Sequence, residues 1–479
     1  MTTSHRLALN TLYSAVGEGS NLLLFLLGFL AARWLGPVGF GAYSAAFAYV
    51  GLFRILPDFG MSYASTLDIS RDRSLAGRLA GNLLGFQALL SIVTLVLCLG
   101  LGRALFEGDT WTAVAVLSVD LVLKSIKSTL RWLLKALEAF GTEATSLLIE
   151  RMALLALGTA ALRLDGGVAA FVIVFVAVRL VDTAGLLVWV HRRFVRLVPR
   201  RETAVWSELL RKGLPFAYAG LMITLFFQVD AVLLEKMRGS LEVGWYSAPV
   251  RVLEGLTLIP RILGYALIPT MAALHASAPE RVTELYARGS KYLVLAALPI
   301  AAFGVMASDR FIPFLFGGDY QASVVAARWL LPAAGFMFLS NFGETTLACV
   351  GRWNTIVIVS TAALVFNVAL NLLWIPEAGY VGAARATFAT EAAYFVMGAV
   401  ALHRFGHRVS WLPLLWRPVL AALVFTTVLW FARGPAGVFG ASLLACAAFA
   451  AATFAFGAWD ARERRLMREM LGRLVRRPA

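Results

Sequence analysis

The chain is poor in charge for its length: only 15% of its 479 residues are Asp, Glu, Lys or Arg, whereas soluble domains carry about 25%. Hydrophobic residues make up 60% of the sequence, and the mean hydropathy is +0.77. Apolar runs of about twenty residues recur from end to end, each long enough to cross a hydrocarbon core of about 30 Å. The composition excludes a soluble globular protein and predicts an all-α membrane protein with many spans.

Residues that carry out common enzymatic or metal chemistry are also scarce. The three cysteines, Cys98, Cys349 and Cys446, lie far apart in apolar runs and show neither metal nor disulfide spacing. The five histidines lie near loops and termini, and the sequence contains no G-x-x-x-x-G-K-S/T stretch. No loop is long enough to hold a soluble catalytic domain. We therefore expect no ATP hydrolysis, no metal site and no catalytic residue, and we predict that the chain is not an enzyme.

The apolar runs divide into about fourteen predicted spans. They lie near Asn10–Trp34, Gly41–Ser62, Leu79–Leu101, Trp111–Leu137, Ala144–Leu164, Val168–Val190, Pro215–Leu234, Tyr246–Leu267, Tyr292–Met306, Val324–Val350, Thr355–Ile375, Val381–Leu402, Leu415–Phe431 and Val438–Ala458. Basic connectors fall after even-numbered spans, which predicts that both termini are cytoplasmic. The net charge of +15 lies largely in these connectors and the tail, so anionic lipid headgroups, not nucleic acid, are the expected partners of the basic loops.

The sequence contains an internal repeat. Gly41–Ala45 reads GAYSA and Gly244–Ala248 reads GWYSA, and the same offset places Pro57 on Pro260. Because the repeat unit has six spans, it predicts two related lobes of equal orientation around a central cavity. The predicted limits are 1–194 for the first lobe, 195–212 for an interfacial linker helix, 213–408 for the second lobe, 409–460 for two extra spans and 461–479 for a basic cytoplasmic tail.

The fourth predicted span carries a stripe of charged residues. Its members are Asp120, Lys124, Lys127, Arg131, Lys135 and Glu138. At about 100° per residue they occupy a sector of about 80°. One Lys or Arg at the bilayer centre costs about 2.5–3.5 kcal/mol, so the stripe cannot face lipid. Lys135 and Glu138 lie near the cytoplasmic end and can snorkel, whereas Lys124, Lys127 and Arg131 predict a hydrated cavity.

Structural ion pairing is the alternative interpretation of the stripe. Asp120 can neutralise Lys124 one turn away, but this pairing leaves Lys127 and Arg131 in excess. Arg179 and Asp182, three residues apart in the sixth span, are interpreted as a packing pair.

Further charges lie in the second and eighth spans, which are repeat mates. They are Arg54, Asp58, Arg251, Glu254 and Arg261. We expect their cations to face the same cavity. Several cations that converge at low dielectric favour a phosphate or diphosphate, and the lipid-facing surfaces allow a tail to remain in the bilayer. The predicted cargo is therefore an anionic amphiphile.

Three stretches resemble a known family. Ala32–Tyr49 (ARWLGPVGFGAYSAAFAY) is similar to its first loop and second span, Gln228–Glu254 to its seventh and eighth spans, and Ile375–Glu391 to the start of its twelfth span. Over roughly the first 400 residues the chain resembles the polysaccharide and O-antigen (Wzx-type) flippases of the multidrug/oligosaccharidyl-lipid/polysaccharide exporter superfamily.

The resemblance implies movement of a polyprenyl-diphosphate-linked oligosaccharide across the inner membrane by alternating access, with polysaccharide polymerase and glycosyltransferases as expected partners. It implies substrate-binding cations at Arg54, Lys124, Lys127, Arg131, Arg251 and Arg261. No cofactor is expected other than H⁺ or Na⁺ as a coupling ion, with Asp58, Asp120, Asp230 or Glu254 as its ligand. The alternatives are a cation-coupled multidrug exporter, a peptidoglycan-precursor (lipid II) flippase and a non-transporting membrane scaffold.

Overall fold

The computed structural model of the chain describes residues 19–164, 166–434, 437–461 and 463–465, and positions 9, 12, 13, 16, 17 and 469. Within these residues the regular structure is helical and contains no strand. The α-helices are α1 (Asn21–Phe53), α2 (Met61–Arg71), α3 (Ala76–Leu105), α4 (Gly108–Ala136), α5 (Phe140–Arg163), α6 (Gly167–Arg193), α7 (Thr203–Arg238), α8 (Ser240–Leu256), α9 (Leu258–Ser277), α10 (Pro279–Phe316), α11 (Ser323–Cys349), α12 (Trp353–Arg404), α13 (Trp411–Ala432) and α14 (Gly437–Ala455). Asn10, where the first span is predicted to begin, and most of the basic tail lie outside the described residues.

Most of these helices are long and apolar. By length and hydropathy, the described residues contain nine helices able to cross a membrane, or up to eleven when each of two bent pairs counts as one span. Two of the nine continue through a glycine with non-helical backbone, Gly36 in α1 and Gly379 in α12. Helix α4 is not among the nine because its apolar stretch contains too many charged residues. The prediction of an all-α, multi-span membrane protein is confirmed, and the count of fourteen spans stays a prediction.

The chain forms two compact units. Unit 1 comprises Met1–Arg251, Leu315–Tyr320 and Leu364–Ala383, and unit 2 comprises Val252–Phe314, Gln321–Ala363 and Ala384–Ala479. Unit 1 contains the charged stripe and the helices that surround it. In unit 2, α13 and α14 pack through Phe425 and Leu429 against the small residues Ala441 and Ala445. The predicted lobe limits stay a prediction.

The predicted repeat has a counterpart in the backbone of unit 1. Gly36 and Gly239 are separated by the same interval as Gly41 and Gly244, and both combine a positive φ with an extended ψ: 64° and 176° at Gly36, and 84° and 174° at Gly239. This conformation is accessible essentially only to glycine. The two repeat segments also meet, because a Cβ atom at Gly41 would overlap the carbonyl group of Ser240, and Gly244 approaches α1 equally closely.

Residues 195–202, predicted as the start of a linker helix, have no regular structure, and α7 begins after them. Their polar groups bind α3 instead. The Arg200 N–H donates to the Gly81 carbonyl at 2.9 Å, and the Glu202 N–H donates to Asn82 Oδ1 at 2.9 Å. The predicted helix over 195–212 therefore begins only at residue 203, because α3 offers the preceding backbone groups better partners.

Candidate functional site: a cationic cavity in unit 1

Helix α4 lies in the interior of unit 1. It contacts α1, α2, α3, α5 and α6. Its apolar face contributes Leu130, Leu133 and Leu134 to a buried cluster with residues of α3 and α6. Because burial of this face fixes the rotation of the helix, the charged stripe turns toward neighbouring helices, as its cost in lipid requires.

A cavity of about 350 Å³ lies along the stripe. Its charged lining residues are Arg54, Asp58, Asp120, Lys124, Lys127, Arg131, Glu150, Arg151 and Arg179. Gly220 and Thr224 of α7 are among its uncharged lining residues. Six of the lining side chains are cationic and three are carboxylates, so the lining has a positive excess. A cavity of this size has room for several waters at about 30 Å³ each, which provides the polar environment that such charges need.

Glu150 of α5 is the central anion of the cluster. Its side chain is 3% exposed, and its carboxylate lies 3.1 Å from Lys127 Nζ, 2.9 Å from Arg131 and 3.4 Å from Arg179. A carboxylate within 4 Å of three cations stabilises an arrangement in which those cations would otherwise repel one another. The sequence interpretation that Lys127 and Arg131 lack acidic partners is therefore wrong, because their partner lies on another helix.

Two further ion pairs connect α4 with α6. Arg179 donates to Asp120 at 2.5 Å, and Lys127 Nζ lies 2.6 Å from Asp182. Ser146 also donates to Asp182, at 3.0 Å. Arg179 and Asp182 each bind a residue of α4, which agrees with their interpretation as residues that pack one helix against another. Lys127 and Arg179 thus have structural partners in the present arrangement.

Lys124 and Arg54 are the least neutralised predicted cations in the cavity. Lys124 Nζ lies 3.6 Å from Asp120, whose carboxylate is already bound to Arg179, and the Lys124 side chain is 27% exposed. Arg54, at the end of α1, lines the cavity, and within the described residues it forms no ion pair or hydrogen bond through its side chain. Lys124 Nζ lies 5.6 Å from the ring centre of Phe47, and the guanidinium carbon of Arg251 lies 6.0 Å from the same ring centre. Arg251 is therefore close to Lys124.

Asp58 lines the same cavity but has neutral partners. It lies in the turn between α1 and α2, where Phe59 and Gly60 adopt positive φ. Its carboxylate accepts a short hydrogen bond from the Ser62 hydroxyl and one of 2.6 Å from Gln87 Nε2. Thr129 of α4 donates to Gln87 Oε1 at 2.7 Å. A hydrogen-bonded chain therefore connects Asp58 with the charged helix.

The remaining predicted site residues lie apart from this lining. Asp230 of α7 accepts hydrogen bonds from the Tyr246 hydroxyl at 2.9 Å and from Asn371 at 2.8 Å. Glu254 and Arg261 belong to unit 2, and Arg261 is exposed. None of these three is a lining residue of the cavity described above.

Sequence reasoning did not identify two charged residues of the site, Glu150 and Arg151. They interrupt the apolar run SLLIERMALL of the fifth predicted span, and this adjacent pair of charges is the signal that identifies them. In the structure Glu150 and Arg151 both line the cavity.

Comparisons with known proteins agree with this architecture. The profile of the family described as polysaccharide biosynthesis protein matches residues 7–275, and the MatE profile matches residues 215–373. A Shigella flexneri protein provisionally named as an O-antigen transporter is 23% identical over 411 residues, which cover 78% of this chain and 92% of that protein.

Solved structures show the same fold. The lipid II flippase MurJ in an inward closed conformation matches with a TM-score of 0.76 at 12% identity, covering 94% of this chain and 98% of that chain. A multidrug resistance MATE family transporter in an inward-facing conformation has a TM-score of 0.60 at 15% identity and covers 82% of this chain and 96% of that chain. These proteins are transporters or flippases, in agreement with the prediction that the chain is not an enzyme. The chain belongs to the polysaccharide biosynthesis protein family and is a multi-pass transporter of the multidrug/oligosaccharidyl-lipid/polysaccharide exporter superfamily.

Proposed function

We propose that this transporter is a flippase that moves a polyprenyl-diphosphate-linked oligosaccharide, such as an O-antigen or exopolysaccharide repeat unit, from the cytoplasmic to the outer leaflet. The observation that carries the proposal is the cavity of unit 1, where six cations meet three carboxylates. A bound diphosphate supplies the missing negative charge at low dielectric. The family match and the name of the Shigella flexneri relative support this cargo class.

Five of the six cations divide into two groups in this proposal. Lys127, Arg131 and Arg179 bind Glu150 and hold the cavity in shape, while Lys124 and Arg54 are available to the diphosphate. The sugars pass through hydrated space, and the polyprenyl tail stays in lipid. Alternating access exposes the site to each leaflet in turn. We place the protein in the inner membrane with both termini cytoplasmic, as the basic connectors favour, and expect glycosyltransferases and a polymerase to act before and after it.

A lipid II flippase is the second candidate, because the MurJ fold covers 94% of this chain. Lipid II also carries a diphosphate on a polyprenyl tail, so it requires the same kind of cationic site. A multidrug exporter for cationic compounds is disfavoured, since the positive excess of the cavity repels such cargo. A non-transporting scaffold does not require charged groups around a cavity of about 350 Å³.

Lys124→Gln and Arg54→Gln should each lower glycan export about tenfold or more, because each removes a charge-assisted contact worth about 1.5–3 kcal/mol. Export is measured by complementation of a flippase-deficient strain, with the amount of inserted protein determined in membrane fractions. Lys135→Gln is the matched control: it lies on α4, contacts Glu143 at 3.3 Å and is not a lining residue of the cavity. Wild-type export by both cavity variants would refute the proposal.

Direct binding separates the candidate cargoes. Purified protein should retain a polyprenyl diphosphate in native mass spectrometry, and Lys124→Gln should retain about tenfold less. Competition by lipid II at equal concentration would favour the second candidate, and saturable uptake of ethidium that is insensitive to Lys124→Gln would favour the multidrug exporter.

We further propose Asp58 as the ligand of the coupling ion, H⁺ or Na⁺. Its bound donors are the neutral groups of Ser62 and Gln87, whereas Asp120 is already held by Arg179 and Lys124. A carboxylate with neutral partners gains most from binding a cation, and one inside the cargo cavity can couple ion binding to cargo binding.

Asp58→Asn should reduce gradient-driven transport in proteoliposomes about tenfold, while the variant still binds polyprenyl diphosphate. Transport is compared under an imposed H⁺ gradient, an imposed Na⁺ gradient and no gradient. Asp68→Asn is the matched control, since Asp68 lies on the adjacent helix α2 and pairs with Lys212 at 2.7 Å. Undiminished gradient dependence in Asp58→Asn would assign coupling to another carboxylate, with Asp230 or Glu254 tested next.

A further inference from the structure

A second cavity lies on the side of α4 opposite to the stripe. Its volume is about 610 Å³. Aliphatic side chains of three helices form most of its wall: Leu84 and Ala88 of α3, Val122 and Ile126 of α4, and Leu187 and Val188 of α6. At 100° per residue, Val122 and Ile126 project away from the charged face of their helix. The cavity therefore shares a helix with the cargo site but no lining residue.

One wall of this cavity is the irregular segment 195–202. Leu197 and Pro199 of that segment line it. The segment is fixed to α3 by Arg200 and Glu202, and a Cβ atom at Gly81 or Gly85 would overlap its backbone.

The Glu202 side chain strengthens this attachment. Its carboxylate accepts hydrogen bonds from Arg78 at 2.8 Å and from Asn82 at 3.0 Å. These two bonds hold the pKa of Glu202 below its usual range, so the carboxylate stays charged at neutral pH. The wall is therefore an ordered part of unit 1.

The mouth of the cavity is basic. His191 and Arg192, at the end of α6, line it beside the aliphatic side chains. His191 Nδ1 accepts a hydrogen bond of 3.1 Å from the Leu197 N–H, so the ring proton of neutral His191 lies on Nε2, which can donate. Arg192 also lines a further cavity with Trp189 and Arg193. A Trp with basic residues at the end of an apolar helix is typical of the headgroup level of a membrane.

We propose that this second cavity is a binding site for an anionic phospholipid. One acyl chain occupies the aliphatic cavity, and the phosphate binds Arg192 and the Nε2–H of His191. Charge complementarity selects an anionic headgroup, and basic pockets between helices at this depth bind such lipids in other membrane proteins. Val188, half exposed beside the cavity, leaves a path from the bilayer. The lipid would hold α3, α4 and α6 together behind the cargo site.

Charge is tested first. Protein purified in detergent is mixed with phosphatidylglycerol or phosphatidylcholine of equal chain length, and bound lipid is counted by native mass spectrometry. Wild type should retain phosphatidylglycerol preferentially, and Arg192→Gln should retain about fivefold less, as expected for one basic residue near the membrane surface. Arg201→Gln makes the same charge change on segment 195–202 at a residue that does not line the cavity, and it should bind as wild type. An equal loss in both variants would mean diffuse attraction and would overturn the site.

Shape is tested next. Ala88→Trp fills the cavity without changing charge and should abolish the preference for phosphatidylglycerol. Leu89 is the next residue and is exposed like Ala88 but does not line the cavity, so Leu89→Trp should leave the preference unchanged. Retention by Ala88→Trp would overturn the proposal, as would displacement of the bound lipid by equimolar polyprenyl diphosphate, which would assign the cavity to the carrier tail. None of these variants alters the cationic cavity, so failure here leaves the cargo proposal unaffected.

Discussion

Glu150→Gln should destabilise the protein by about 3–5 kcal/mol, the usual cost of removing one partner of a buried ion pair. The carboxylate is 3% exposed and lies within 3.4 Å of Lys127, Arg131 and Arg179. Its loss leaves the buried Lys127 and Arg179 and the partly exposed Arg131 without their shared anion, and a neutral amide of the same size cannot replace its charge. Thermal unfolding of purified protein, followed by fluorescence-detected size-exclusion chromatography, measures the change.

Glu208→Gln is the matched control for this experiment. Glu208 lies on α7 and pairs with Lys212 at 2.8 Å, and the two side chains are 54% and 38% exposed. Solvent screens this pair, so its loss should cost about 1 kcal/mol or less. Adding Arg131→Gln to Glu150→Gln removes one of the three cations and should restore part of the lost stability. A melting temperature of Glu150→Gln equal to that of wild type would contradict the central role of Glu150.

The position of Glu150 also bears on transport. Cations without acidic partners would destabilise the protein whenever the cavity is empty. If every cation had an acidic partner, the cavity would have no positive excess to attract a diphosphate. Glu150 and Asp120 neutralise the innermost cations, and Lys124 and Arg54 remain at the cavity with weaker compensation. The site can therefore persist without cargo and still favour an anion. In this division Glu150 of α5 and Arg179 of α6 have a structural role, and Lys124 of α4 and Arg54 at the end of α1 have the recognition role.

The charged face of α4 could be predicted from sequence because helical periodicity determines which residues share a face. The partners of that face could not, because Glu150 and Asp182 lie on other helices and their approach depends on how α4, α5 and α6 pack. Only the pair within α4, Asp120 and Lys124, was visible from spacing. At 3.6 Å it is a weak pair, since Asp120 bonds to Arg179 at 2.5 Å.

Two details of the backbone also could not be predicted from local sequence patterns. The loop predicted around Gly36 is reduced to one non-helical residue at a kink between two helical parts of α1, because one glycine with positive φ suffices for the change of direction. Residues 195–202 have the composition of a basic amphipathic helix but no regular structure, since α3 offers hydrogen-bond partners at Gly81 and Asn82. At residues 195–202 the local pattern was overruled by hydrogen bonds to a distant part of the chain, whereas at Gly36 the change is local.

Gly41→Ala should destabilise the protein by about 3 kcal/mol, at the upper end of the usual cost of overpacking. The new methyl group would overlap the backbone carbonyl of Ser240 and approach the backbone nitrogen of Gly244. Backbone atoms cannot rotate away as a side chain can, so α1 and α8 must separate. The backbone φ of Gly41 is not the cause, because Gly41 is not among the glycines with positive φ. The measurement is again the melting temperature in detergent, together with the amount of monodisperse protein.

Gly100→Ala is the control that isolates this contact. Gly100 lies within α3 and has no atom within 4 Å of the position of an added Cβ. Alanine there should leave stability unchanged or raise it by about 0.5–1 kcal/mol, because glycine is the poorer helix former. Since Gly41 and Gly244 are the residues that revealed the repeat, Gly244→Ala should reproduce the loss by meeting the backbone of Pro37. If Gly41→Ala and Gly244→Ala had the same melting temperature as Gly100→Ala, the close packing of the repeat segments would be disproved. Their shared sequence would then need another physical explanation.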